Sequence, residues 1–245
     1  MPPILAALAH FLVVFAVGLF PLTWKLQGDI YDLFLSFGAG VLLSAAFLHM
    51  LPEATLEIGP SVGVFMLAGY VLMTVLERFT MAHPCMEDDH CHNPDHRLGL
   101  VAFFGLSVHS VISGMALGVG LMGAADISVS IALLAAILVH KVPETLALMA
   151  LLAASGWSRK KMAFTLVCFS AMGPSGILTG AFLNFQSPRF MGAALAISAG
   201  TFLYIASGDL LPHLHTKMKQ KWVNFVAFLV GLLALSFEAW HHLMG

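Results

Sequence analysis

Two histidines stand inside otherwise apolar stretches of this chain, in His109-Ser110-Val111-Ile112-Ser113-Gly114 and in His140-Lys141-Val142-Pro143-Glu144-Thr145. Each is followed by a residue expected to break a helix, Gly114 and Pro143. Residues four apart share a helix face, so His140 and Glu144 can point at one ion, and His109 and Ser113 form a similar pair. Imidazole nitrogen with carboxylate oxygen suits zinc and its first-row neighbours, whereas calcium and magnesium want mostly oxygen. Two histidines and one glutamate, with a position left for water or Ser113, form the donor set of an open zinc site rather than a closed structural one. A lone histidine at membrane depth commonly serves only as an interhelical hydrogen-bonding residue. Two of them, one with a carboxylate and a proline beside it, favour a metal site. Pro143 has no N–H and crowds the carbonyl of Val139, which is expected to free an oxygen near His140. Lys141 is too central to reach either interface. It is expected to pair with a carboxylate or to stand where a second cation would otherwise sit.

The elements that carry these residues must be membrane helices. Of 245 residues 59% are hydrophobic and 10% charged, and the mean hydropathy is +0.91, whereas soluble domains carry about a quarter charged residues. A net charge of -2 gives no reason to expect nucleic acid as a partner. Apolar runs of about 20 residues predict eight transmembrane helices: Ile4–Leu22, Ile30–Leu51, Gly59–Glu77, Leu98–Met122, Ile127–Ala154, Met162–Phe185, Phe190–Leu211 and Trp222–Met244. No run is left over for a second domain, so residues 1–245 read as one all-α membrane domain. Met1-Pro2-Pro3 offers no basic region, so the first run is not expected to be a signal peptide. At about 1.5 Å per residue, His109 and His140 fall roughly 16 and 20 Å from the ends of their runs, near the middle of a core of about 30 Å. An ionisable residue there is expensive unless it faces a cavity or binds something.

Lys25, Arg78, Arg97, Arg159, Lys160, Lys161, Lys217, Lys219 and Lys221 fall in alternate loops, the other loops hold only Arg189, and the rich set is therefore assigned to the cytoplasm. Both termini then face outward. An internal repeat supports the same count. Gly38-Ala39-Gly40-Val41-Leu42-Leu43 with His49-Met50-Leu51-Pro52-Glu53 parallels Ser198-Ala199-Gly200-Thr201-Phe202-Leu203 with Asp209-Leu210-Leu211-Pro212-His213. Five helices apart, the two segments cross in opposite senses, as in the inverted repeats of secondary transporters. His49 with Glu53 at the outer end of the second helix, and Asp209 with His213 at the cytoplasmic end of the seventh, are relay candidates. Capping of helix ends beside Pro52 and Pro212 is an equal alternative. Between the third and fourth helices, at about residues 79–97, lies a polar segment rich in histidine and cysteine. It reads as a cytoplasmic loop whose His83, Cys85, His90, Cys91, His92 and His96 could bind metal.

These motifs resemble the ZIP metal-ion transporters over all eight helices. In that family the fourth helix carries a histidine-led motif ending in glycine, and the fifth carries His-x-x-Pro-Glu or a near variant; here these look like His109 through Gly118 and His140 through Leu146. The second- and seventh-helix segments quoted above are also family-like. The resemblance implies uptake of a divalent transition metal into the cytoplasm, with zinc foremost and iron, manganese or cadmium as alternatives. It also implies inverted repeats of helices 1–3 and 6–8 around helices 4 and 5, and often a homodimer. The metal is then substrate rather than cofactor, no enzyme activity is implied, and the cell membrane is the expected location. Many members carry an acid where Ser113 stands, asparagine at Ser110, an acid at Lys141 and a glutamate at Gly173, and these build a second ion site. All four are replaced here, which points to a single central site of His109, His140 and Glu144. The rival reading is an integral-membrane zinc hydrolase, in which similar ligands would activate water. No His-Glu-x-x-His motif supports it. A passive channel is a second rival, distinguished by flux that does not saturate.

Overall fold

Among the described residues the apolar runs fold as helices. The computed structural model describes residues 1–23, 29–80, 95–124, 126–183, 187–211 and 221–234. Helix α1 is Pro3–Thr23 and α2 is Asp29–Ser44, which leads into a π-helical turn, Ala45–Met50, and on into α3, Leu51–Ile58. After a 3₁₀ turn at Gly59–Ser61 come α4 (Val62–Thr80), α5 (Asp95–Gly123), α6 (Ile127–Ala154) and α7 (Arg159–Phe182). Helix α8 (Pro188–Tyr204) runs into a second π-helical turn, Ile205–Leu210, and α9 is Lys221–Ala234. Helix starts follow the usual capping chemistry. Asp126 accepts from the amides of Ser128 and Val129 at 2.9 and 3.2 Å, and the hydroxyls of Ser158 and Ser187 accept from Lys161 and Phe190.

By length and composition, six stretches among the described residues suffice to cross a membrane: Pro3–Thr23, Asp32–Arg78, Gly99–Gly123, Ile127–Ala153, Arg159–Phe182 and Pro188–Gly208. The second has 47 residues, about 70 Å of helix at 1.5 Å per residue and more than twice a hydrocarbon core. It is interrupted at Gly59, whose φ of 57° only glycine adopts readily. Helix α9 is shorter, and the remainder of the Trp222–Met244 run lies outside the described residues.

Two expectations need correction. Gly114 and Pro143 do not break their helices, since α5 and α6 run through both. Proline is tolerated inside helices of a membrane bundle, where the surroundings re-satisfy the freed carbonyl. The segment that begins at Ile30 also does not stop at Leu51: Pro52 follows just after the π-helical turn, and helix continues to Ile58.

Contacts sort the helices into two groups. Helices α5 and α1 each pack on α6 and α7, while α2 packs on α9 and both α3 and α4 pack on α8. The groups meet where α2 crosses α6 and α5 crosses α8. Leu42, Met50, Met73, Leu106, Leu148, Phe169 and Phe202 are buried in the core between them. Glycines let several crossings approach backbone to backbone. Gly40 lies against the Phe228 carbonyl and Gly231 against that of Phe37; Gly200 lies against Met66 and Gly69 against Ile197. The register that brings Gly40 onto Gly200 also brings Phe37 onto Ile197, and the first π-helical turn onto the second. On the outside, Leu12, Val64, Val71, Ile131, Phe164 and Val230 are exposed, an apolar surface suited to lipid rather than water.

Candidate metal centre

Helices α5 and α6 cross at the middle of the bundle and bring three ligand residues to one place. One ligand atom from each of His109, His140 and Glu144 lies within 4.8 Å of the others, and all three residues are buried. His109 Nε2 stands 3.1 Å from Glu144 Oε1 without an aligned hydrogen bond, so both atoms aim at common space rather than satisfying each other.

His140 is oriented by its own helix. Its Nδ1 lies 3.1 Å from the Ala136 carbonyl oxygen, which can only accept, so the proton resides on Nδ1 and the lone pair on Nε2. Such outer hydrogen bonds fix the tautomer of metal-ligating histidines. His140 Nε2, both nitrogens of His109 and Glu144 Oε1 are buried with no hydrogen-bond partner. Leaving a buried polar atom unsatisfied costs about 1–3 kcal/mol, so a cluster of four needs a reason. A divalent cation taking one ligand atom from each of the three residues accounts for three of them.

Lys141 meets the other side of the carboxylate. Its Nζ is 2.6 Å from Glu144 Oε2, and it is completely buried. Glu144 thus presents one oxygen to the histidines and the other to an ammonium. Thr145 donates to the Lys141 carbonyl at 2.7 Å, which ties the hydroxyl to the helix and away from the site.

The remaining sequence candidates separate. Ser113 is near but donates back to the Ser110 carbonyl at 3.2 Å. The His49 ring lies 5.3 Å from that of His140, and its Nε2 is 3.8 Å from Glu53 Oε2. The π-helical turn that contains His49 advances the following residues relative to an α-helix, as such turns do at functional sites. Asp209 lies in the second π-helical turn. His213 and the loop residues His83, Cys85, His90, Cys91 and His92 lie outside the described residues, and His96 is described only as part of the backbone of α5.

A cavity of about 530 Å³ reaches the site at His109. Its lining runs from the exposed Glu53, Glu57 and Pro188 through the half-buried His49 to the buried His109 and Ser113. Sequence reasoning passed over Glu57, and it passed over His10 on α1, which is fully buried. The only signal for His10 was a single histidine in an otherwise apolar and uncharged helix. Phe202 was also unforeseen; its ring lies 4.8 Å from that of His109 and closes the site on the α8 side.

Comparison with known proteins agrees with this chemistry. The family described as "ZIP Zinc transporter" matches residues 2–98 and 83–239. Zinc transporter ZIP9 of Xenopus tropicalis is 29% identical over 158 residues, covering 62% of this chain and 52% of that protein. Zinc transporter ZIP1 of Homo sapiens is 26% identical over 247 residues, covering 82% and 75%. Fe(2+) transport protein 1 of Arabidopsis thaliana is 25% identical over 267 residues, covering 87% and 76%. The chain spans about half the length of the ZIP9 relatives it matches.

Proposed function

The chain belongs to the ZIP zinc transporter family, and from that premise we propose that it carries a divalent transition-metal ion, zinc foremost, across a membrane toward the cytoplasm. The carrying observation is the convergence of His109, His140 and Glu144 within 4.8 Å among buried, unsatisfied ligand atoms. Transport rather than hydrolysis follows from the family. The names of the ZIP9 and ZIP1 relatives favour zinc, and that of the plant Fe(2+) protein keeps ferrous iron as the second ion to test.

The fold we infer has eight crossings, with crossings 1–3 (α1 to α4) and 6–8 (α7 to α9) as inverted repeats around the fourth and fifth, α5 and α6. Two features support it: an Asp32–Arg78 stretch long enough for two crossings, and paired glycine contacts and π-helical turns at corresponding registers. The positive-inside assignment makes the cavity mouth at Glu57 and Pro188 the outer one. An ion attracted there by Glu57 and Glu53 passes His49 and exchanges water for His140, His109 and Glu144. Lys141, paired with Glu144 Oε2, holds the charge of a second cation, so the central site takes one ion. Asp209 and His213 serve the way out. The histidine- and cysteine-rich segment at about 79–97 binds metal on the cytoplasmic side and modulates rather than performs transport. A homodimer in the cell membrane, embedded in lipid, completes the reading.

The test is uptake into proteoliposomes, scanned over zinc, iron, manganese and cadmium. Saturable zinc uptake that is lost in His109→Ala, His140→Ala and Glu144→Ala supports the reading. Wild-type uptake in the triple variant overturns the site, flux that never saturates makes the protein a channel, and zinc-dependent peptide or ester hydrolysis by the purified protein would restore the hydrolase.

A further inference from the structure

Three of the four tryptophans stand within two residues of a lysine or arginine, in Trp24-Lys25, Trp157-Ser158-Arg159-Lys160-Lys161 and Lys221-Trp222. An aromatic ring with a long cationic side chain suits the boundary between lipid and water. The middle group carries the most charge, and it is rigidly built. Helix α6 closes at Gly156, whose φ of 66° favours glycine. The Gly156 amide donates to the Ala153 carbonyl at 3.0 Å and the Trp157 amide to that of Leu152 at 3.2 Å, the paired bonds that end a helix on glycine. Trp157 is thereby fixed against the core, and Lys161 Nζ lies 4.2 Å from the centre of its ring, held there by cation–π attraction.

The charge at this place is uncompensated. Arg159, Lys160 and Lys161 occupy the first turn of α7, which holds no acidic residue, and the helix dipole opposes cations there. All three are exposed, and among the described residues none is ion-paired with a carboxylate. Beneath them runs an apolar stripe. Phe164 is 71% and Val167 46% exposed, and Ala171 continues the same face. From Lys160 to Ala171 is about 16 Å at 1.5 Å per residue, the depth of one leaflet in a core of about 30 Å.

We propose that the start of α7 binds an anionic phospholipid of the cytoplasmic leaflet. Arg159 and Lys160 hold its phosphate beside the fixed ammonium of Lys161, and an acyl chain lies along Phe164, Val167 and Ala171. A guanidinium fork and an ammonium are the donors phosphate takes. A choline lipid brings its own cation and leaves the three charges unbalanced, so net negative charge is the requirement. The leaflet follows from the positive-inside assignment. Helix α7 lies against α5, the helix of His109, through Gly176 on the Val111 carbonyl and Gly180 on that of Met115. A lipid that anchors α7 therefore stabilises the packing on which the central site depends.

Thermal unfolding of the purified chain in detergent, with dioleoyl phosphatidylglycerol or dioleoyl phosphatidylcholine added, tests this. Phosphatidylglycerol raises the wild-type melting temperature by several degrees more than phosphatidylcholine, and Arg159→Gln/Lys160→Gln/Lys161→Gln loses more than half of that difference. Arg78→Gln/Lys221→Gln removes two other exposed cations assigned to the same side and keeps it. Equal shifts from the two lipids, or an undiminished difference in the triple variant, overturns the proposal. An equal loss in the Arg78 and Lys221 variant also overturns it, by making the effect a general attraction to a basic surface. Glycerol 3-phosphate carries the charge without acyl chains and gives no shift; a shift as large as the lipid's would assign the residues to a soluble phosphate instead. Lys160→Glu, a single reversal of charge one turn above Phe164, loses the difference as well and serves if the triple variant does not fold; a difference it retains overturns the proposal. The measurement uses no zinc, so its failure leaves the transport reading standing.

Discussion

At the scale of single residues, the centre is governed by a buried charge pair with one oxygen to spare. Removing one partner of a buried ion pair typically costs about 3–5 kcal/mol, because the other charge is left uncompensated. Glu144→Gln strands the Lys141 ammonium, completely buried and 2.6 Å away. It is expected to lower metal-free stability by about that amount as well as to end uptake, and thermal unfolding with and without zinc measures the first effect separately. His140→Ala should behave differently. Its Nδ1 bond to Ala136 is within its own helix and no ion pair depends on it, so uptake is lost with stability changed by less than about 1.5 kcal/mol. An unfolding loss as large as that of Glu144→Gln would show that the ring is structural. His109, His140, Glu144 and Lys141 were legible from sequence because ionisable residues at helical spacing are conspicuous against an apolar background. His10 was not, because one histidine in a helix announces nothing until what packs on it is known, and Gly173, which lies against its ring, is more than a hundred residues away along the chain.

At the scale of elements, glycine crossings do what large side chains do in a soluble core. Lipid tails are as apolar as leucine, so membrane helices gain by close packing, and small residues permit it. Gly200→Ala would drive a Cβ into the Met66 carbonyl and Gly69→Ala into that of Ile197. Since backbone cannot swing aside, each is expected to destabilise by about 1–3 kcal/mol or more. Gly63→Ala in α4 meets nothing and should be neutral or slightly stabilising, by less than about 1 kcal/mol; melting temperatures of the three variants distinguish packing from helix propensity. Ile127–Ala154 coincides with α6, and Met162–Phe185 and Phe190–Leu211 begin within a few residues of α7 and α8. What hydropathy could not supply was the course of the chain past Leu51. A count of apolar residues stops at Pro52 and Glu53, whereas the backbone carries the helix through the π-helical turn and past Pro52 to Ile58.

At the scale of the whole molecule, the side assigned to the cavity residues Glu57 and Pro188 and the side assigned to most of the basic residues can be checked together. Cysteines introduced near Glu57 and Asp126 should react with a membrane-impermeant reagent from outside, and ones near Lys160 and Lys219 only after permeabilisation. The reverse pattern would turn the cavity mouth toward the cytoplasm and convert uptake into export. Deleting residues 83–96 should shift regulation or apparent affinity without ending transport; complete loss in a well-expressed deletion would make that segment part of the route. The two π-helical turns have a historical consequence as well. A π-helical turn is what an α-helix becomes when it acquires one extra residue. Ala45–Met50 and Ile205–Leu210 occupy the same place in their segments, so if these halves descend from one ancestor, a single insertion before the gene duplicated accounts for both. The ancestral half-length polypeptide would then already have carried the bulge, and with it the shifted helix face, before there was a second half to enclose an ion.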